Sequence, residues 1–136
     1  MTYSLSFKAG TQPKAGSNSI WVCPDAEDIG QPAFFPYAMN MALSTWFTKS
    51  PDNMARVGPT QTMVFMADGL GPYCSTLPST KDYSPVARHS GCVNIAFLDG
   101  HVASYSGEEV GFGVGDPKRP DVRWYIPDNV WTGPPP

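Results

Sequence analysis

Apolar positions fall in short runs, broken roughly every ten residues by proline or glycine, a spacing that predicts strands rather than long helices. Ser19-Ile20-Trp21-Val22 is one such run, stopped by Cys23-Pro24 and followed by an acidic turn from Asp25 to Asp28. Residues Tyr37 to Phe47 read either as a strand or as one short helix, because methionine and alanine suit both. Thr62 to Ala67 reads as a buried strand ending at Asp68-Gly69, and Val122 to Ile126 as a last strand. Between Val110 and Val122 the chain turns irregular, with Gly111, Gly113, Gly115, Pro117 and Pro120.

The clearest pattern lies between. Val93 to Leu98 and His101 to Ser106 alternate on either side of Asp99-Gly100. Asp-Gly between alternating runs predicts a hairpin with a two-residue type I′ turn, in which both central residues take positive φ. That loop would place Leu98 opposite His101, Phe97 opposite Val102, Ala96 opposite Ala103 and Asn94 opposite Tyr105. Val93, Ile95, Phe97 and Val102 would then share the core face, with Asn94, His101 and Tyr105 on the other. The fold class expected is mainly β: an antiparallel sheet with long Gly/Pro-rich loops and room for a minor helix.

Composition narrows the picture. The 136 residues suit one domain, expected over 1–131, and the proline-rich 132–136 reads as the start of a linker. Seventeen aromatic residues (4 Trp, 6 Tyr, 7 Phe) argue against ordinary disorder. A net charge of −3 provides no electrostatic footprint for nucleic acid or an anionic membrane. No apolar stretch approaches the roughly 18 residues of a membrane span, and Met1 to Gly16 has no signal-peptide core.

Candidate chemistry is sparse. Cys23, Cys74 and Cys92 allow one disulfide with a thiol left over, or three buried thiols. None has CxxC spacing, which argues against a zinc site built on cysteines. Gly111-Phe112-Gly113-Val114-Gly115 lacks the spacing, helix and lysine of a phosphate loop. No nucleophile motif marks a hydrolase. Asp68, Asp99, Glu108 and Glu109 could supply a glycosidase carboxylate pair, but solvated or turn-capping roles suit them better. No catalytic residue is therefore assigned. Asp116 and Asp121 offer hard oxygens on irregular loops, so calcium is the cofactor they suggest, against turn capping as the plainer role. Among the tryptophans, Trp21 reads as core. Trp46, Trp124 and Trp131, with Tyr125, are candidate platforms for stacking on sugars, since flat rings complement the apolar faces of pyranoses.

His89, nine intervening residues, then Asp99-Gly100 form an H-X9-DG signature. With Arg88-His89-Ser90-Gly91, Asn94, Phe97-Leu98-Asp99-Gly100-His101-Val102 and Glu109-Val110, this resembles the prepilin-processing-associated H-X9-DG domain of pseudopilin-like proteins. Trp21-Val22-Cys23-Pro24, Tyr37-Ala38-Met39-Asn40 and Pro59 to Asp68 look like that family's remaining segments. The resemblance implies a pseudopilin-like head. Such proteins begin with a cleavage motif and an apolar anchor helix, which this sequence lacks, and the Gly133 to Pro136 tail suggests reuse as a tethered module. In overall character and aromatic content the chain is also similar to a β-glucan carbohydrate-binding module.

Physically, His89 and Asp99 suit structural roles, His89 bonding to the hairpin or a neighbouring loop and Asp99 accepting backbone N–H bonds at the first turn position, so function is sought on the surface. The leading expectation is a noncatalytic module binding β-glucan-type plant polysaccharides, linked covalently to a secreted, extracellular glycoside hydrolase. Its stacking residues would be Trp46, Trp124, Tyr125 and Trp131, and its metal residues Asp116 and Asp121. The alternative is the globular head of a pseudopilin or type II secretion-like filament subunit.

Overall fold

The structure is a computed structural model that describes residues 22–25, 35–44, 56–71, 75–78, 80, 82–111 and 118–127. Its centre is one five-stranded sheet, formed by β1 (Phe35–Asn40), β2 (Val64–Gly71), β3 (Ser75–Thr76), β4 (Cys92–Phe97) and β5 (Val102–Ser106), in the order β3-β1-β2-β4-β5. The sheet is mixed, not purely antiparallel: β1 runs antiparallel to β2 but parallel to β3. A 3-10 turn, Met41–Leu43, follows β1, so the segment from Tyr37 onward is strand first and helical turn second. The single described α-helix, α1 (Gly107–Val110), closes on Gly111 in the left-handed region (φ 82°). Among the described residues no helix is long and apolar enough to cross a membrane.

Two sequence expectations about strand ends shift. β2 does not stop at Asp68-Gly69 but continues to Gly71, because β1 pairs along it from Met39↔Met66 to Phe35↔Gly71. Residues 122–126 form no strand of their own. They join β2 through one parallel bridge, Met63↔Arg123, with Val64 N–H donating to Arg123 O (2.9 Å) and Arg123 N–H to Thr62 O (2.7 Å). Even so, their side chains alternate as a strand's would, with Val122, Trp124 and Ile126 buried.

The hairpin exists, but its turn differs from the two-residue type I′ loop. Asp99 does not take positive φ; only Gly100 does (φ 93°). Gly100 N–H donates to Phe97 O and Phe97 N–H to His101 O, both at 3.0 Å, which closes a loop of Leu98, Asp99 and Gly100. This is the three-residue hairpin, a tight turn followed by a left-handed glycine. The extra residue slips the register by one: Ala96 faces Val102, Ile95 faces Ala103 and Val93 faces Tyr105. A one-residue slip sends every β5 side chain to the opposite face. Val102 is consequently 67% exposed, while Tyr105 packs edge-on to Phe97 and His101 stacks on it at 4.3 Å.

The paired positive φ of a type I′ turn appears elsewhere, at Ser90 (54°) and Gly91 (81°). Cys92 N–H donates to His89 O (3.0 Å) and His89 N–H to Cys92 O (3.3 Å), so this tight turn leads straight into β4.

The core lies on one sheet face, where Val64, Ala67, Val93, Ile95 and Phe97 meet Val110, Val122 and Trp124. Asn40 ties it to the loops: its side-chain amide donates to Val64 O (2.9 Å) and Trp124 O (2.8 Å) while its Oδ1 accepts from Ala42 N–H (3.0 Å).

Candidate functional site

The opposite face of the sheet divides in two. Cross-strand pairing aligns Met39, Met66, Ala96 and Val102 in one row across β1, β2, β4 and β5. Met39 and Val102, at its two ends, are 44% and 67% exposed. The neighbouring position in β2 is Asp68, paired with Tyr37 of β1, and it is fully buried because two loops fold over it.

One of these loops is the segment before β4. Val86 N–H donates to Asp68 O (2.9 Å), and the Arg88 guanidinium donates to Gly69 O, which lays the loop along β2. The Ser90-Gly91 turn then sets His89 above Asp68, with Nε2 at 3.6 Å from Asp68 Oδ2. From the other side, the 22–25 segment brings Cys23 Sγ to 3.5 Å from His89 Nε2 and Asp25 Oδ2 to 3.1 Å from His89 Nδ1. Both imidazole nitrogens are therefore faced by heteroatoms. Asp68 Oδ2 also accepts from Asn94 N–H (2.8 Å), whereas Asp68 Oδ1 and Arg88 Nε are buried with no hydrogen-bond partner among the described residues.

The electrostatics follow from burial. Desolvation pushes the Asp68 carboxyl above its ordinary value, against the pull of the Asn94 N–H, His89 and Arg88. Burial also raises the Tyr37 phenol, and nearby Cys23 and Asp68 push the same way. A thiol, an imidazole and a carboxylate in line have the composition of a nucleophile, its base and an orienting acid. Cys23 is only 1% exposed, however, so its sulfur does not meet a substrate in this conformation. The cluster's evident work is to clasp two loops to the sheet.

The signature aspartate does the same for the hairpin. Asp99 Oδ1 accepts from His101 N–H (3.1 Å) and lies 2.6 Å from His101 Nδ1. The His101 contacts hold the Asp99 carboxyl below its ordinary value.

The sequence-predicted site residues fare unequally. Trp124 is corrected: at 1% exposure it belongs to the core and cannot stack on a sugar, because alternation around Arg123 turns it inward. Tyr125, next along, is 40% exposed, and its hydroxyl donates to Pro78 O (3.4 Å). Trp46, Trp131 and Asp116 lie outside the described residues, as do Trp21 and the 132–136 segment. Asp121 is engaged by Arg119 through two hydrogen bonds (2.6 and 2.9 Å). That Arg119 also sits 4.8 Å above the Tyr105 ring, so this acid serves a surface network. Cys23 and Cys92 are free thiols, which removes a disulfide from both; Cys74 is outside the described residues.

Sequence reasoning did not assemble Cys23, Asp25, Tyr37, Asp68 and Arg88 with His89. Four different segments supply them, and no local spacing announces such a meeting. Compared with protein families, curated proteins and solved structures, the chain finds no match.

Proposed function

We propose that this domain is a noncatalytic assembly head of the pseudopilin-like kind, whose half-open sheet face packs against a neighbouring copy. The observation that carries this reading is the Met39–Met66–Ala96–Val102 row, which leaves two large apolar side chains in water at its ends. Apolar side chains aligned and exposed on a flat sheet face favour protein contact. The signature residues support it from the other direction: His89 and Asp99 are spent on holding loops, as expected where the motif specifies a scaffold. The test is sedimentation of the purified domain over a wide concentration range. Self-association that Val102→Asp or Met39→Asp abolishes, with folding intact, is the expected result; a monomer at all concentrations counts against the reading.

A second reading is a carbohydrate-binding module for β-glucans, appended to a secreted enzyme. Tyr125 favours it, as an exposed aromatic ring beside a buried one. Calorimetry against mixed-linkage β-glucan and xyloglucan decides it. Saturable heat that Tyr125→Ala removes would establish glycan binding, and silence from folded protein would eliminate it.

A further inference from the structure

The two edges of the sheet are guarded unequally. At one edge β3 is only two residues long, and a strand that short offers little backbone to a neighbour. At the other, β5 runs for five residues with no charged side chain and no proline, the devices that usually keep an exposed edge from pairing. The bonding phase of the hairpin sets which of its backbone groups face outward. Phe97 N–H donates to His101 O and Gly107 N–H to Gly91 O, both at 3.0 Å, so within β5 it is Ala103 and Tyr105 that bond β4. Val102, Ser104 and Ser106 therefore turn their N–H groups away from β4, and among the described residues no strand lies beyond them. Their side chains are exposed, whereas Ala103 and Tyr105 pack against the core.

We propose that β5 pairs with β5 of a second copy, antiparallel about a two-fold axis at Ser104, joining two five-stranded sheets into one continuous sheet. The choice of a like copy as partner rests on the assembly reading above, and the symmetry of the strand supports it. An axis at the midpoint matches all five residues: Val102 opposite Ser106, Ala103 opposite Tyr105 and Ser104 opposite itself. It also brings outward-facing backbone groups to outward-facing groups, as a hydrogen-bonded pair requires. On the core side the small Ala103 leaves room for the Tyr105 ring of the second copy, and on the axis two serine hydroxyls can bond each other. The seam carries no charge, so the net charge of −3 on each copy does not oppose it there. An axis perpendicular to the sheet keeps the same face up. The Met39–Met66–Ala96–Val102 rows of both copies then lie on one side, doubling the apolar face offered to further copies.

Amide hydrogen exchange read beside sedimentation decides it, with the whole chain over a wide concentration range, because a five-residue seam buries little area and should dissociate on dilution. The Ser104 N–H is expected to be protected in concentrated protein and to lose that protection on dilution, while the Ala103 and Tyr105 N–H groups stay protected throughout. Ser104→Pro removes an N–H that β4 does not use, a place where an edge strand accepts proline. Ser104→Lys sets like charges across the axis and keeps the test open if the proline disturbs β5. Both variants should keep the fold and lose the concentration-dependent protection of the Val102 and Ser106 N–H groups. Met39→Asp, three strands away, should leave the Ser104 protection intact even where it stops further association. Three results would each overturn the pairing: Ser104 unprotected at every concentration, Ser104 protected in protein that sediments as a monomer, or concentration-dependent protection at Val102 and Ser106 unchanged in Ser104→Lys. Self-association with Ser104 unprotected would sink the edge pairing and keep the face packing, so the two readings fail separately.

Discussion

The two faces of the sheet handle similar residues in opposite ways. On the inner face, Ile95, Phe97, Val93 and Val64 are excluded from water, and even the tryptophan in the adjoining segment is buried against them. On the outer face Val102 stands in solvent, while an aspartate two positions beyond Met66 is fully enclosed. Residue type alone would have assigned these roles in reverse. What decides them is register on one side and loop coverage on the other. β5 is slipped by one residue because Leu98 joins Asp99 and Gly100 in the turn, and Asp68 is roofed because the loop before β4 is hydrogen-bonded along β2.

The contrast can be broken most forcefully from the inner side. Trp124→Ala empties a fully buried position and is expected to cost about 3–5 kcal/mol, read by urea unfolding. A change in ligand binding with stability intact would instead return Trp124 to the surface. Next comes the device that sets the register. Gly100→Ala meets no atom of the described residues within 4 Å, so its penalty is the left-handed backbone, about 1–2 kcal/mol. A neutral result would favour a different turn.

The buried acid on the outer face sharpens the comparison through pH. Folding raises the Asp68 pKa above its ordinary 3.8, so the folded chain holds a proton that the unfolded chain has released. Between those two values stability therefore falls as pH rises. Asp68→Asn keeps an oxygen for the Asn94 N–H and removes that slope. The variant should gain on wild type across this window, measured by unfolding at a series of pH values. A parallel dependence in both proteins would mean that Asp68 titrates normally. The smallest effect belongs to Val102→Thr, a substitution in solvent that should change stability by less than about 0.5 kcal/mol. A loss comparable to a core mutation would place Val102 back on the inner face.

Much of the fold was legible locally. Alternation in Val93 to Phe97 identified a half-buried strand, and the glycine at 100 identified a hairpin turn. The turn type was not legible, since Asp-Gly serves both the two-residue and the three-residue loop and only the cross-strand bonds distinguish them. The paired positive φ fell instead at Ser90-Gly91, where no run of alternating residues precedes the turn to advertise it. At the candidate site, His89 and Asp99 were marked by their spacing. Asp25, Tyr37 and Asp68 were not, because they reach the cluster through strand pairing and loop packing across more than sixty residues of chain in the case of Asp25 and His89.

The sequence by itself determined a β-rich chain punctuated by turns, a hairpin over the H-X9-DG signature, and alternating burial through residues 122–126. Those properties depend on near neighbours: backbone conformations open to glycine and proline, and the period of two in an extended chain. Only the tertiary structure decided that Trp124 is core, that Val102 is surface, and that a thiol, an imidazole and two carboxylates converge. Those outcomes depend on which strand lies beside which, at which register, and on which loops cover the result. A shift of one residue in a turn reverses a face, and no local pattern carries that information.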